Sequence, residues 1–257
     1  MFLIAESKTM AAGSREIAAC QLKAHTPLYE AYAGEIMRRL SRLSSEELTD
    51  ATCLSAKLAG ALGRMAYEFP NKTVGEEAIC AFTGVVFRQL RLKGYDAGQT
   101  EWLARNVRII SSLYGWLRPD DIIKPYRLEF KNKVAPDGLP LMKFWRSHVT
   151  IALVRELKER HDAAVYDLLP ADASKCIDWK LVKRFAKVYR IDFKTPVGSQ
   201  DLKTPGSGRL KQLRGSLLDL AITHRCTDTA SIASLESDDF LPQGEIICPG
   251  TLTYFTD

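Results

Sequence analysis

The sequence predicts an α/β protein, a mixed β-sheet flanked by helices, and three observations carry the prediction. Stretches with helical spacing alternate with short runs rich in Val, Ile, Tyr and Phe, no internal repeat or low-complexity tract interrupts them, and the linkers are short. With 257 residues, 46% hydrophobic and 26% charged, the chain has the composition of a folded protein and the length for one sizeable core. A single compact domain over residues 1–257 is therefore expected, without the regular β-α-β rhythm of a doubly wound fold.

Phe2-Leu3-Ile4-Ala5 is an apolar run too short for a signal peptide and lacks a preceding basic stretch, so it is expected to be the first strand. Tyr32, Ile36, Leu40 and Leu43 keep helical spacing, and Ser44-Ser45-Glu46-Glu47 supplies an N-cap and an acidic first turn for a second helix. A third helix is expected from Leu54 to Tyr67. Pro70 and Gly75 precede a helix that opens at Glu76 and runs to Phe87 with a break at Gly84. Thr100 caps the next helix, whose Leu103, Val107 and Ile110 line one side and which stops near Ser111. Pro119 suits a first helical position, and Pro125 ends that turn before an extended Tyr126 to Phe130. A long amphipathic helix from about Leu141 to Arg160 turns Trp145, Val149, Ala152 and Leu153 inward. Two strands, Ala163 to Leu169 and Lys187 to Phe193, flank a basic helical piece after Trp179. Thr195 to Gly208, with Pro196, Gly198, Pro205 and Gly206, is expected to be a loop, either mobile or ligand-binding. Arg209 to Thr223 forms a last helix on Leu210, Leu213, Leu217 and Leu220, and Leu252 to Phe255 closes the chain as a strand.

Several chemistries are disfavoured at this level. Cys20, Cys53, Cys80, Cys176, Cys226 and Cys248 form no C-x-x-C pair and are expected to be reduced thiols. Together with them, His25, His148, His161 and His224 make no zinc-ligand spacing, and no G-x-G-x-x-G or G-x-x-x-x-G-K-[ST] is present, so neither a metal nor a cofactor is expected. No catalytic acid or base is assigned. An oxidation-sensing thiol needs exposure and a cationic neighbour, and Cys176 has the neighbour, Lys175. No window approaches the roughly 18 apolar residues of a membrane span, so a cytoplasmic monomer without membrane contact is expected.

Charge is unevenly distributed. Lys175 to Leu218 carries eleven bases against three acids, a net of +8, whereas Asp219 to Asp257 nets −6. If the bases share a face, phosphate is their natural counterpart; a charge-balanced surface is the alternative. Lys211 and Arg214, three apart, share one side of the last helix, apart from its leucines, and suit successive phosphates. Lys8 follows the first strand, where open-sheet proteins place ligand groups, and Lys57 and Lys194 are further candidates. Each has a plain reading as a solvated surface lysine.

The densest stretch is Ile110-Ser-Ser-Leu-Tyr-Gly-Trp-Leu-Arg-Pro-Asp-Asp121, continuing through Lys124-Pro-Tyr-Arg-Leu-Glu-Phe130. It is expected to form a helix, a tight turn at Gly115 and a short helix, a helix-hairpin-helix-like element presenting backbone N–H groups, Arg118 and Arg127 to a phosphate. Alternatively both arginines pair with Asp120, Asp121 or Glu129 and order the turn. Tyr114, Trp116 and Tyr126 either stack on bases or, as their apolar neighbours favour, pack in the core.

This stretch resembles the signature of the peroxide stress protein YaaA family, in which S-x-L-Y-G-x-L-R-P-x-D and P-Y-R-L-E occur together. The likeness extends to Ser7-Lys8-Thr9, Lys57-Leu58-Ala59-Gly60, Ala81-Phe82-x-Gly84-x-Val86-Phe87, Phe144-Trp145 and Lys211-x-x-Arg214-Gly215. The resemblance implies a cytosolic protein of the peroxide response that limits oxidative DNA damage by lowering free iron. It further implies a family-specific fold, a basic cleft and DNA binding through a helix-hairpin-helix element. Departures accompany it. Ala5-Glu6 stands in place of Ser-Pro, Val85 replaces an acid, Phe87 a tyrosine and Gln212 a lysine, and Asp167 to Ala173, with Pro170, keeps little of N-L-A-S-x-E-Y. Three functions remain open: DNA binding through phosphate contacts from Lys8, Lys57, Gly115, Arg118, Arg127, Lys194, Lys211 and Arg214, an enzyme acting on a nucleobase or a phosphate-bearing small molecule in the same cleft, or a structural or iron-handling partner without DNA affinity. A pocket lined by Lys8, Lys194 and Arg214 with a perturbed carboxylate would favour the enzyme.

Overall fold

The computed structural model of the chain describes residues 1–11, 24–71, 75–160, 164–197, 201–243 and 250–257. Strand β1 (Phe2–Ala5) is followed by helices α1 (Glu30–Leu40), α2 (Ser45–Thr52) and α3 (Ala56–Glu68). Next come the two-residue strand β2 (Glu76–Glu77), the single turns α4 (Ala78–Ala81) and α5 (Val85–Arg88), a 3-10 turn (Leu92–Gly94) and α6 (Ala97–Asn106). Strands β3 (Val107–Ser111), β4 (Gly115–Leu117) and β5 (Ile122–Ile123) precede the long helix α7 (Leu141–Lys158). After it lie β6 (Ala164–Asp167), the turns α8 (Ala171–Ser174) and α9 (Trp179–Val182), β7 (Lys187–Val197), β8 (Asp201–Lys203), α10 (Ser207–Thr223), α11 (Thr229–Ala233), β9 (Leu241–Pro242) and β10 (Thr251–Phe255).

The main sheet has the order β4-β3-β1-β6-β7-β10-β9, with β8 paired to the far end of β7; β2 and β5 form a separate ribbon. β3, β1, β6, β7 and β10 run parallel, while β4, β8 and β9 are antiparallel additions at the margins. Phe2, Leu3 and Ile4 are buried on both faces, as a central parallel strand requires. Counted along the chain, the five parallel strands stand in the order second, first, third, fourth, fifth. That is a doubly wound order despite the irregular helices, and it reverses direction between β1 and β6, which opens a crevice at their carboxyl ends.

Helices with local signals form where expected. Ser44 and Glu47 close a reciprocal capping box on α2, and α7 buries Trp145, Val149, Ala152 and Leu153. Asp96, rather than Thr100, caps α6, and α6 ends at Asn106 instead of near Ser111. Asp228 caps α11, which the sequence reading did not foresee.

The segment around Gly115 is a correction. Instead of two helices and a hairpin it is a β-hairpin, with Ile109 opposite Leu117, Ile110 opposite Trp116 and Ser111 opposite Gly115. The helical spacing of Leu103, Val107 and Ile110 is coincidental: Val107, Ile109 and Ile110 are β-branched, buried, and belong to a strand beside β1. Pro119 opens no helix, only the turn into β5. Thr195 to Gly208 is likewise not one loop. Thr195, Pro196 and Val197 pair with Lys203, Leu202 and Asp201 before α10 begins at Ser207. Cys20, Cys248, His161, Gly198 and the expected strand start Ala163 lie outside the described residues.

Gly115 has φ +68°, and a Cβ on it would lie 2.5 Å from Cε3 of Trp145. The indole is fixed by a 2.8 Å bond from its Nε1 to the Ser112 carbonyl. Gly115→Ala is therefore expected to cost about 2 kcal/mol through left-handed strain and overpacking. A chemical denaturation midpoint unchanged from the parent would refute this.

Candidate functional site at the carboxyl edge of the sheet

The chain leaving β1 enters the crevice at once. Glu6 continues the strand, its N–H bonding the Ile110 carbonyl at 2.9 Å. Ser7 Oγ accepts from the Gly84 N–H at 3.0 Å and donates to the Thr9 carbonyl at 2.6 Å. A Cβ on Gly84 would stand 2.4 Å from that of Ser7, so the glycine lets the start of α5 meet the end of β1. On its other side α5 meets α10 closely, since a Cβ on Gly215 would lie 2.5 Å from the Val86 carbonyl oxygen. These small residues bring the helix carrying Arg214 against the carboxyl edge.

Arg214 is partly buried and lies within electrostatic reach of Arg190, Asp167, Asp192 and Asp172. Burial, and then Arg190, lower its pKa. Its neighbours are already engaged. Asp167, 5% exposed, receives Arg190 Nη1 at 2.6 Å; Asp192 faces Lys194 Nζ at 3.2 Å; Asp172 accepts the Ala173 N–H at 2.9 Å. Among the described residues the Arg214 guanidinium forms no hydrogen bond or ion pair, and its Nε is buried without a partner. A cation in that position is a poor structural device and a good anion clamp, because a bound oxyanion would satisfy donors that the fold leaves open.

Glu6 lies close by. Its Oε2 accepts the Ser112 N–H at 2.8 Å and a short bond from the Tyr126 hydroxyl. Tyr126 spends its one proton on that bond to the ionised carboxylate, so Ser111 Oγ donates to the phenol oxygen at 2.7 Å, while itself accepting from the Tyr114 N–H at 2.9 Å. The surrounding protein desolvates Glu6 and lifts its pKa to about 7, with the hydrogen bonds from Ser112 and Tyr126 pulling the other way. Burial, and then Glu6, hold the Tyr126 phenol well above its ordinary value. The buried Ser112 hydroxyl sits beside the carboxylate without reaching good hydrogen-bond geometry.

Of the residues singled out from sequence, Lys8 and Arg127 meet: Arg127 Nη1 bonds the Lys8 carbonyl at 3.1 Å, its Nε is buried and unpartnered, and Lys8 Nζ reaches Glu129 at 2.7 Å. Lys194 joins the Arg214 cluster through Asp192 and also donates to Thr204 Oγ1 at 3.0 Å. Lys211 is exposed, one helical turn from Arg214. Gly115 is buried and presents no open backbone to a ligand. Arg118 pairs with Asp120 at 3.2 Å, and its own N–H bonds Asp121 Oδ2 at 2.8 Å, so it orders the turn. Lys57 is exposed on the first turn of α3, a helix that packs on α1 and α2, and no bond among the described residues ties it to the carboxyl edge. Tyr114, Trp116 and Tyr126 are core residues, 2%, 2% and 4% exposed. Cys176 is fully buried and its burial raises the thiol pKa, which removes it as a redox sensor.

Glu6 and the Asp167–Arg190 pair were not assigned from sequence. Position was the usable signal: Glu6 and Asp167 end strands on either side of the reversal, where open sheets gather ligand groups. Glu6 also predicts a pH dependence. Its proton is held more tightly in the folded chain, with a pKa of about 7, than at the ordinary value of 4.5. The favourable contribution is thus complete below the lower value and disappears as pH rises through the higher one. Glu6→Gln, with the same shape and no charge, is expected to flatten that loss and to be more stable than the parent at about pH 8. Thermal denaturation over this range checks it, and a variant less stable than the parent at alkaline pH would contradict the assignment.

Comparison with known proteins places these residues in context. The family described as peroxide stress protein YaaA matches residues 1–244. A UPF0246 protein of Parabacteroides distasonis is 32% identical over 196 residues, 76% of each chain. UPF0246 proteins of Bordetella avium and Porphyromonas gingivalis are 30% and 28% identical, the first covering 84% of both chains, the second 87% of this chain and 86% of its own. Among the described residues no helix is long and apolar enough to cross a membrane.

Proposed function

The chain belongs to the peroxide stress protein YaaA family, and from that premise we propose that it serves the peroxide response by binding DNA through its phosphates at the carboxyl edge of the sheet, limiting iron-dependent oxidative damage there. The observation that carries this reading is the partly buried guanidinium of Arg214 beside Arg190, which has no hydrogen-bond or ion-pair partner among the described residues. Lys211, one helical turn away, and Lys194, through Asp192, extend the contact, and Lys8 with Arg127 offers further cations where the chain leaves β1. The helix-hairpin-helix element has no part in it, because Gly115 lies in a buried β-hairpin.

Binding of a duplex and of a branched DNA across a salt series tests the proposal. Contact with roughly five phosphates gives a log-affinity against log-salt slope of about −4 to −5. Lys211→Glu and Lys8→Ala are each expected to weaken binding by about 1 kcal/mol and to make the slope shallower, sequence-independently. Affinity insensitive to both salt and these changes would end the DNA reading.

A second reading, a phosphate-bearing small molecule in the same crevice, is favoured by one feature: most of the flanking cations, Lys8 and Lys194 included, already face carboxylates. It predicts a salt slope near about −1, as a single phosphate contact gives.

A further inference from the structure

The proposed phosphate clamp leaves Glu6 unused, yet its surroundings are those of a working group. Oε2 holds both of the carboxylate's hydrogen bonds, from the Ser112 N–H and the Tyr126 hydroxyl. Among the described residues Oε1 holds none, and Glu6 keeps part of its surface in contact with solvent although protein packs around it. One oxygen is therefore fixed, and among the described residues the other is left without a partner. Among the described residues Ser111, Ser112 and Tyr126 hydrogen-bond or adjoin it, and Cys176 lies within electrostatic reach of both Glu6 and Asp172. Asp172 in turn lies within electrostatic reach of Arg214, so Cys176 and Asp172 form a chain of neighbours from the carboxylate to the clamp. Lys8, two residues on, turns its ammonium to Glu129 and does not neutralise Glu6. The resemblance to the family would not bring this residue, since that pattern has proline here.

We propose that Glu6 is a proton-transfer group of this crevice, with Oε1 exchanging a proton with an N–H or O–H of a nucleotide unit whose phosphate rests on Arg214. This rests on the phosphate reading above. In the forward direction the ligand X–H bond breaks, its proton passes to Oε1, the carboxyl becomes neutral, and the electron pair stays on X, where Arg214 offsets the added negative charge. The same proton returns to X or leaves with solvent. Ser112 and Tyr126 keep the carboxyl in place throughout, as positioning residues. A carboxyl with its pKa at about 7 is suited to both directions at neutral pH.

Carboxyl ¹³C NMR of the full chain with labelled glutamate tests this, with Glu6→Gln assigning the resonance. The Glu6 signal is expected to titrate near neutrality, and a 5′-deoxymononucleotide at saturation is expected to move its midpoint by at least about half a pH unit. A short single-stranded oligonucleotide is run in parallel, and whichever ligand moves the midpoint identifies the free or the polymeric source. Arg214→Gln should abolish the movement and leave the midpoint of the ligand-free protein nearly unchanged. Glu6 titrating in the ordinary carboxylate range overturns the proposal. So does nucleotide binding that depends on Arg214 and leaves Glu6 undisturbed, in which case the phosphate clamp stands alone. If neither nucleotide nor inorganic phosphate binds in an Arg214-dependent way, the clamp falls and the proton-transfer role falls with it.

Discussion

Arg214→Glu is expected to weaken binding of DNA, or of a free nucleotide, by about a hundredfold, roughly 3 kcal/mol. Among the described residues the parent arginine's donors have no partner, so a phosphate gains charge-assisted hydrogen bonds without displacing one. Reversal removes those bonds and adds a repelling carboxylate. The new glutamate would gain Arg190 as a neighbour but meet Asp167, Asp192 and Asp172 as like charges, so some loss of stability is expected beside the loss of affinity. Arg214→Gln gives the intermediate case, keeping hydrogen-bonding capacity without charge. Isothermal titration at fixed low salt reads the effect, with circular dichroism as the control on folding. Full affinity in the reversed variant would mean that Arg214 does not contact the ligand.

Asp219→Ala is expected to destabilise the protein by about 3 kcal/mol. Asp219 is 6% exposed on α10 and accepts three bonds: Arg91 N–H at 2.9 Å, Arg91 Nε at 2.8 Å and the Tyr95 hydroxyl at 2.6 Å. The Arg91 side chain is largely open to water, so its ion pair adds little. The cost arises from stranding the Tyr95 hydroxyl and the backbone N–H in a dry site. Burial, the largest cause of the raised Tyr95 pKa, persists in the variant, so the phenol cannot lower the cost by ionising. Because this contact ties α10 to the turn before α6, the variant should also lose ligand affinity, whereas Arg214→Gln should lose affinity alone. Urea denaturation of both variants separates the two effects, and an Asp219→Ala protein as stable as the parent would refute the argument.

The sequence disclosed what is local. The Ser44–Glu47 capping box and the apolar faces of α7 and α10 are written within one element each, so spacing alone sufficed. Strands β1, β6 and β7 were legible as short runs of apolar, aromatic and β-branched residues, but the pairing order was not, because partners such as Leu3 and Asp167 are joined only through long-range contacts. The Gly115 hairpin was misread for the same reason: beside β1, burial on both faces overrode a helical period. At the site, Arg214, Lys194 and Lys8 were found because charge is visible in a sequence. That Lys8 and Lys194 are paired while Arg214 is not depends on where Glu129, Asp192 and Asp167 fall in space. Glu6 appeared only as a departure from a family pattern, and its packing against Ser112 and Tyr126 is what gives it chemical meaning.

The most direct test of a phosphate clamp at the sheet's carboxyl edge is a crystal of the full chain soaked in tungstate, an anomalously scattering oxyanion of phosphate's shape. The account predicts a single strong anomalous peak within hydrogen-bonding distance of the Arg214 guanidinium, lost in Arg214→Gln. A peak seated elsewhere in the wild-type protein, with Arg214 left bare, would contradict it.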